Sequence, residues 1–217
     1  MSSGNILNDN YSSMGTAVIL AGGESKRLGY PKELIKLNDE TLIEIIIKQL
    51  TPLFEEVIIV TNRAEIKEAV PERVRIVKDI INEGRKSSMR GLHAGLKYSS
   101  SAVNFVTACD MPFVNPALIK LMYNYLPGYD AVVPKIEGYV QPLYAFYKRD
   151  CYVYIEKNIN EGNLKLSDLY KGLKVFYVEK KQIVSIDRNQ RAFFNINTET
   201  DLAEAKKILK SYYKEMF

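Results

Sequence analysis

The sequence predicts an α/β fold with a mainly parallel central sheet. Two observations carry this. Short apolar runs, several of them β-branched, alternate with amphipathic stretches of helical period along nearly the whole chain. No internal repeat and no evident linker interrupts that alternation.

The elements follow in order. Residues 17–20 (AVIL) form a first strand. Thr41 and Glu44 give a capping-box pattern ahead of an apolar stripe, which makes 41–50 a helix. Residues 57–61 (VIIVT) are β-branched throughout and read as a strand buried on both faces. A third strand spans 74–77, a helix 87–98, and a fourth strand 104–109. Residues 115–126 are a helix, with Asn115 as its cap and Pro116 at its first position. Further strands are expected at 131–134, 143–147 and 175–178. A closing helix spans 198–210, where Thr198 and Asp201 form a related capping pattern. The stretch 137–198 is less regular and is assigned to a second half of the same unit. Residues 1–15 are polar and rich in Ser, Asn and Gly, so they are expected to be a loose tail before a single domain at 16–211. Met14 is a second candidate start.

Composition narrows the function. The chain has 217 residues, 47% hydrophobic and 26% charged, which disfavours the disordered and membrane classes. A net charge of +4 is too small to imply a nucleic-acid partner. Cys109 and Cys151 make neither a disulfide framework nor a four-ligand zinc site. No run approaches the roughly 20 apolar residues of a spanning helix, and no signal peptide is evident. A cytoplasmic protein without nucleic-acid or membrane partners is expected.

The chemistry collects where strands end. The first strand runs into Ala21-Gly22-Gly23, and later strands lead to Asn62, Asp79 and Asp110. In a parallel sheet these fall on one edge, where ligands bind. Two glycines let backbone N–H groups approach an anion. Lys26, Arg27 and Lys32 add charge for phosphate oxygens. Asp110 suits Mg²⁺, which prefers carboxylate oxygen and keeps several waters. Asn62 or Asp79 can read a base or ribose. Each feature alone has an ordinary structural role: a turn, a solvated face, a cap. Nor is the glycine loop the dinucleotide fingerprint or the P-loop. Together they suit a nucleoside triphosphate bound with magnesium. Outside this set, His93 is read as structural and Cys109 as a small buried hydrophobe. Most of the fifteen tyrosines are read as packing, and Arg85, Lys86 and Arg90 as a solubilising face.

The motif LAGGESKRLGYPK closely resembles L-A-G-G-x-S-x-R-M-G-x-x-K of the molybdenum cofactor type of nucleotidyltransferase. VTN, VKD, GLHAGL, ACDMPF, QPLYAFY and FFNINTETDL follow in the family's order. The last three look most like the molybdenum cofactor guanylyltransferase family. The resemblance implies a Rossmann-like three-layer α/β/α nucleotidyltransferase fold. It implies transfer of GMP from GTP to the phosphate of molybdenum-bound molybdopterin, with Mg²⁺ as cofactor. It also implies a molybdoenzyme or a cofactor-delivery protein downstream. By position, Leu20, Ala21 and Gly22 would contact the guanosine, with Gly23 and Arg27 beside the phosphates and Lys32 on phosphate. Asn62 and Asp79 would serve the base or ribose, and Asp110 the metal and the phosphates it bridges. Asn195 and Asn197 would lie near the acceptor or the metal. Arg27, Lys32 and Asp110 are the implied catalytic set. The acceptor phosphate is already a nucleophile at neutral pH, so positioning and charge neutralisation suffice for in-line attack.

The chain departs from the pattern twice. Pro31 stands where an acidic residue usually precedes the lysine. Gly91-Leu92-His93 replaces the usual Gly-Pro-Leu, and Ser87-Ser88 just upstream looks more like the related cytidylyltransferases. A cytidylyltransferase on the same acceptor, a sugar-phosphate nucleotidyltransferase and a non-catalytic nucleotide- or cofactor-binding adaptor stay open as alternatives.

Overall fold

The computed structural model describes residues 14–22, 32–79 and 87–216. Strand β1 (Thr16–Leu20) is followed, after a 3-10 turn at Lys32–Leu34, by the small hairpin β2 (Lys36–Leu37) and β3 (Glu40–Thr41). Helix α1 (Leu42–Leu50) starts at the expected capping box. The Thr41 hydroxyl accepts from the Glu44 N–H, and the Glu44 carboxylate accepts from the Thr41 N–H at 2.7 Å. Then come β4 (Glu56–Val60), a 3-10 turn at Ala64–Ala69 and β5 (Arg75–Val77). Helix α2 (Ser88–Tyr98) is capped by Ser87, β6 (Val103–Ala108) follows, and α3 (Pro116–Asn124) is capped by Asn115. The second half comprises β7 (Ala131–Ile136), β8 (Tyr139–Val140), β9 (Tyr144–Lys148), α4 (Cys151–Asn160) and α5 (Leu166–Leu169). It ends with β10 (Val175–Glu179), α6 (Lys180–Val184), a 3-10 turn at Arg191–Phe193 and α7 (Glu199–Met216).

The large sheet has the order β10-β7-β9-β6-β1-β4-β5, with β8 paired to β7. β1 runs parallel to β4 and β6, β4 to β5, and β10 to β7, whereas β9 is antiparallel to both its neighbours. The link from β7 to β9 is too short for a parallel crossover, which needs a dozen or more residues. The chain leaves β1 toward β4 and β5, then returns to place β6 on the other side of β1. The carboxyl ends of β1 and β6 therefore flank a topological switch point, where α/β sheets bind ligands.

Both sheet faces are buried, and β1 shows the alternation. Ala17 and Ile19 enter the cluster that holds α1, α3 and α6, while Val18 and Leu20 pack on the α2 and α4 side. The result is three layers. A third cluster (Leu37, Leu42, Ile45, Phe113, Ile196, Ala205, Leu209) docks α7 onto α1 and the small hairpin.

The expected tail lies outside the described residues up to residue 13. Met14 is buried and donates its N–H to the Leu53 carbonyl at 3.1 Å, so the packed chain starts two residues before Thr16. Helix α7 runs six residues past the expected end at 210. The stretch described as less regular contains three helices. In α4, Cys151, Ile155 and Ile159 recur every fourth position on its buried face.

Candidate active site

Strand register places the site. Leu20 pairs with both Val60 and Ala108, and Val60 pairs with Val77, so four parallel strands end on one row. One further row of hydrogen bonds closes above it: Ala21 N to Val60 O at 2.9 Å, Thr61 N to Val77 O at 3.0 Å, and Cys109 N to Leu20 O at 3.0 Å. Gly22, Asn62, Asp79 and Asp110 each stand two residues beyond the last paired residue of their strand. Across the edge they run Asp79, Asn62, Gly22, Asp110, and all four line one cavity of about 710 Å³. That size falls within the roughly 300–1,000 Å³ of small-molecule sites.

The cavity joins distant segments at Asp110. Lys32 Nζ lies 3.0 Å from Asp110 Oδ2 and donates to Asn197 Oδ1 at 2.5 Å. The Ile196 N–H donates to the Asp110 carbonyl at 2.9 Å, which seats the 193–198 segment against β6. Asn195, on that segment, lines the cavity. Asp201 accepts the Asn197 N–H at 2.9 Å and the Thr198 N–H at 2.8 Å, fixing the segment at the start of α7. These bonds, the Asn197 one foremost, hold the Asp201 carboxyl below its usual range. On the other side, Asn62 Oδ1 accepts from the Asp79 N–H at 3.2 Å, tying the β4 and β5 ends together.

The structure thus brings together Leu20, Ala21, Gly22, Lys32, Asn62, Asp79, Asp110 and Asn195, with Asn197 bonded to Lys32. Gly23 and Arg27 lie outside the described residues, as do Lys26, Pro31, Arg85 and Lys86. Arg90 does not fit the solubilising face expected of it: on α2 it is only 8% exposed. It belongs to the buried set of that helix, with Met89, Leu92 and His93. His93 is buried, as a structural role requires, with Nε2 3.3 Å from Glu156 Oε1 on α4. Burial, then the charge of Asp110, pushes the Cys109 thiol well above its ordinary range, so it stays protonated.

Glu33, Arg63 and Leu143 are among the lining residues that sequence reasoning does not place at the site. Glu33 is fully buried, with Oε1 3.0 Å from Arg63 Nε, and both residues line the cavity. Leu143, just before β9, also contributes. Arg63 carries a visible signal, since it follows Asn62 at a strand end. Glu33 carries none, because its partner is far away in sequence.

A family model for the MobA-like NTP transferase domain matches residues 17–175. The chain belongs to this family. A "Probable molybdenum cofactor guanylyltransferase" of Natranaerobius thermophilus is 36% identical over 196 residues, covering 89% of this chain and 96% of that protein. The molybdenum cofactor guanylyltransferase of Syntrophotalea carbinolica is 33% identical over 189 residues, covering 86% and 88%. Among solved structures, molybdopterin-guanine dinucleotide biosynthesis protein A from Archaeoglobus fulgidus superposes with a TM-score of 0.78 at 28% identity, covering 90% and 99%. The fold is accordingly that of the nucleotidyltransferases, with the family's match spanning every strand end that lines the cavity.

Proposed function

We propose that this NTP transferase domain transfers GMP from GTP to the phosphate of molybdenum-bound molybdopterin. The products are the guanine dinucleotide cofactor and pyrophosphate. The observation that carries the reading is the row of Gly22, Asn62, Asp79 and Asp110 two residues past four parallel strands, with Lys32 against Asp110. Relatives that align over nearly the whole chain bear guanylyltransferase names.

The donor set fits Mg²⁺. Among the described residues no three His, Cys, Asp or Glu side chains converge on one point, and Asp110 presents a carboxylate to the cavity. One carboxylate completed by substrate phosphates and water is the usual way proteins hold this ion. Asp110 would hold it, and when bound it would polarise the α-phosphate. Among the described residues the lining carries the cations Lys32 and Arg63 and the carboxylates Glu33, Asp79 and Asp110.

The chain's own residues supply position and charge. Lys32, beside Asp110, balances negative charge where the phosphates and the pyrophosphate leaving group would lie. Asn62 and Asp79 orient the nucleoside from the far side, leaving Asn195 and Asn197 toward the acceptor. No strong base is needed, and the neutral Cys109 and buried His93 are not used as one. Attack is in line, the acceptor phosphate oxygen bonding to the α-phosphorus as its bond to the bridging oxygen breaks.

The buried free thiols of Cys109 and Cys151 suit a reducing compartment and support a cytoplasmic location. Among the described residues no helix is long and apolar enough to cross a membrane. The dinucleotide product would pass to a molybdoenzyme or a delivery protein. A second reading, cytidylyl transfer to the same acceptor, is favoured by Ser87 and Ser88 lining the cavity. Pyrophosphate release measured with GTP, CTP, ATP and UTP, with and without molybdopterin, tests the proposal. Acceptor-dependent release from GTP is expected; release from none of the four would overturn it.

A further inference from the structure

We propose that the buried Glu33–Arg63 ion pair is a brace that fixes the spacing between Lys32 and Asn62. It thereby makes recognition of the phosphate end and the base end of the nucleotide interdependent, an inference that rests on the nucleotide reading above. Glu33 and Arg63 each follow one of those two ligand candidates directly in the chain. One peptide step is 3.8 Å between Cα atoms, so a held Glu33–Arg63 contact limits how far the Lys32 and Asn62 backbones can move apart. The contact is 3.0 Å between Oε1 and Nε, and the Glu33 side chain is 1% exposed.

Stability alone gives no reason for such a pair. A fully buried carboxylate is costly to desolvate, and an apolar pair of similar volume is often as stable or more so. What the pair adds is a close contact held by opposite charge, Oε1 against Nε without a hydrogen bond of regular geometry between them. It is anchored at both ends. The Arg63 N–H donates to Thr61 Oγ1 at 3.1 Å, and Asn62 Oδ1 accepts from the Asp79 N–H at 3.2 Å. On the other side Lys32 is held by Asp110 at 3.0 Å. The chain of contacts Asp110–Lys32–Glu33–Arg63–Asn62–Asp79 therefore crosses the cavity from the β6 end to the β5 end. A ligand that touches both ends gains from fixed spacing, because its second end binds at high effective concentration. A ligand that touches one end gains nothing from it.

Calorimetric titration of the full chain with GTP, guanosine and pyrophosphate, each with Mg²⁺, tests this. Two variants are compared with the unaltered protein: Glu33→Gln, and the double change Glu33→Leu with Arg63→Met, which leaves no buried charge unpaired and so protects the fold. Both are expected to weaken GTP binding about tenfold or more, while guanosine and pyrophosphate each shift less than about threefold. If the folded double variant binds GTP as well as the unaltered protein, or if all three ligands weaken alike, the brace is overturned and the nucleotide reading stands. If the unaltered protein binds none of the three, the nucleotide reading falls, and the brace with it.

Discussion

Lys32 Nζ lies 3.0 Å from Asp110 Oδ2, joining residues 78 positions apart that line one cavity. The lysine rests on a 3-10 turn and the carboxylate on a strand end, so the pair connects two separately built parts of the site. Asp110→Asn should keep the fold, since its backbone bond to Ile196 and the neighbouring strand are unchanged. Turnover should fall by about 100-fold or more, because an amide oxygen is a poorer ligand for Mg²⁺ than a carboxylate. Initial rates across a magnesium titration check this. A near-normal rate at saturating Mg²⁺ would remove Asp110 from the metal role.

Lys32→Ala should weaken triphosphate binding more than nucleoside binding, and the same is expected of Arg27→Ala. Both side chains are proposed to meet phosphates and not the base. Loss of Lys32 also removes the donor that Asn197 Oδ1 accepts from. Calorimetry with GTP and guanosine separates the cases: equal losses for the two ligands would mean that these residues act through the fold.

The parts of this architecture written in local chemistry were legible. Period-2 and period-3.6 apolar patterns located most strands and helices. Thr41, Asn115 and Thr198 marked helix starts that the structure places within one residue. Glycine, amide and carboxylate at strand ends were enough to collect the site, because parallel register aligns strand ends without any long-range information. Helix α4 was missed for a physical reason. Tyr152, Val153 and Tyr154 favour strands locally, and it is the packing of Cys151, Ile155 and Ile159 on the core that decides. The antiparallel course of β9 and the Glu33–Arg63 contact are tertiary choices, and no periodicity encodes which distant charge a carboxylate will meet.

Gly95 makes a close approach that a side chain would obstruct. A Cβ there would lie 2.3 Å from Val18 Cγ1, and Val18 is fully buried at the centre of β1. At Gly91, one turn earlier, a Cβ would meet Leu20 at an ordinary 3.5 Å. Alanine in a helix gains up to about 1 kcal/mol over glycine, while overpacking a core costs about 1–3 kcal/mol. Gly95→Ala should therefore lower the unfolding free energy and Gly91→Ala raise it slightly. Urea unfolding of both variants checks the contrast; a stabilised Gly95→Ala would show that α2 does not rest as tightly on β1 as described.

His93 predicts a pH effect. Burial holds its imidazole below the ordinary 6.5, against the opposing pull of Glu156, with Lys97 and Asp79 also acting on it. In the unfolded chain the imidazole titrates near 6.5, so as pH falls below that value the unfolded state takes the proton first and stability drops. The drop ends once the folded form is protonated too. Above 6.5 both forms are neutral and His93 contributes no slope. Carboxylates such as Glu44, held low by the Thr41 hydroxyl, act only at lower pH. His93→Gln should flatten the stability profile just below pH 6.5, measured by urea midpoints between about pH 5.5 and 7.5. An unchanged slope would rule His93 out as its source.

The base is the last prediction: GTP should be preferred to CTP. QPLYAFY and FFNINTETDL resemble the guanylyl enzymes, while Ser87-Ser88 resembles the cytidylyl ones, and the former involve more residues. The cavity wall adds a chemical reason. The part proposed to meet the nucleoside carries the Asp79 carboxylate, the Asn62 amide and the backbone beyond Leu20. Guanine offers donors at N1 and N2 and an acceptor at O6, a set that a carboxylate and nearby backbone N–H groups can meet together. Cytosine is smaller and has one exocyclic donor, so it would leave part of that wall unpaired. Each buried polar group left without a partner costs about 1–3 kcal/mol, enough for roughly tenfold discrimination or more. Steady-state kinetics with both nucleotides and one molybdopterin acceptor is the measurement. A kcat/KM for CTP equal to or above that for GTP would overturn the assignment and make Ser87 and Ser88 at the start of α2 the deciding feature.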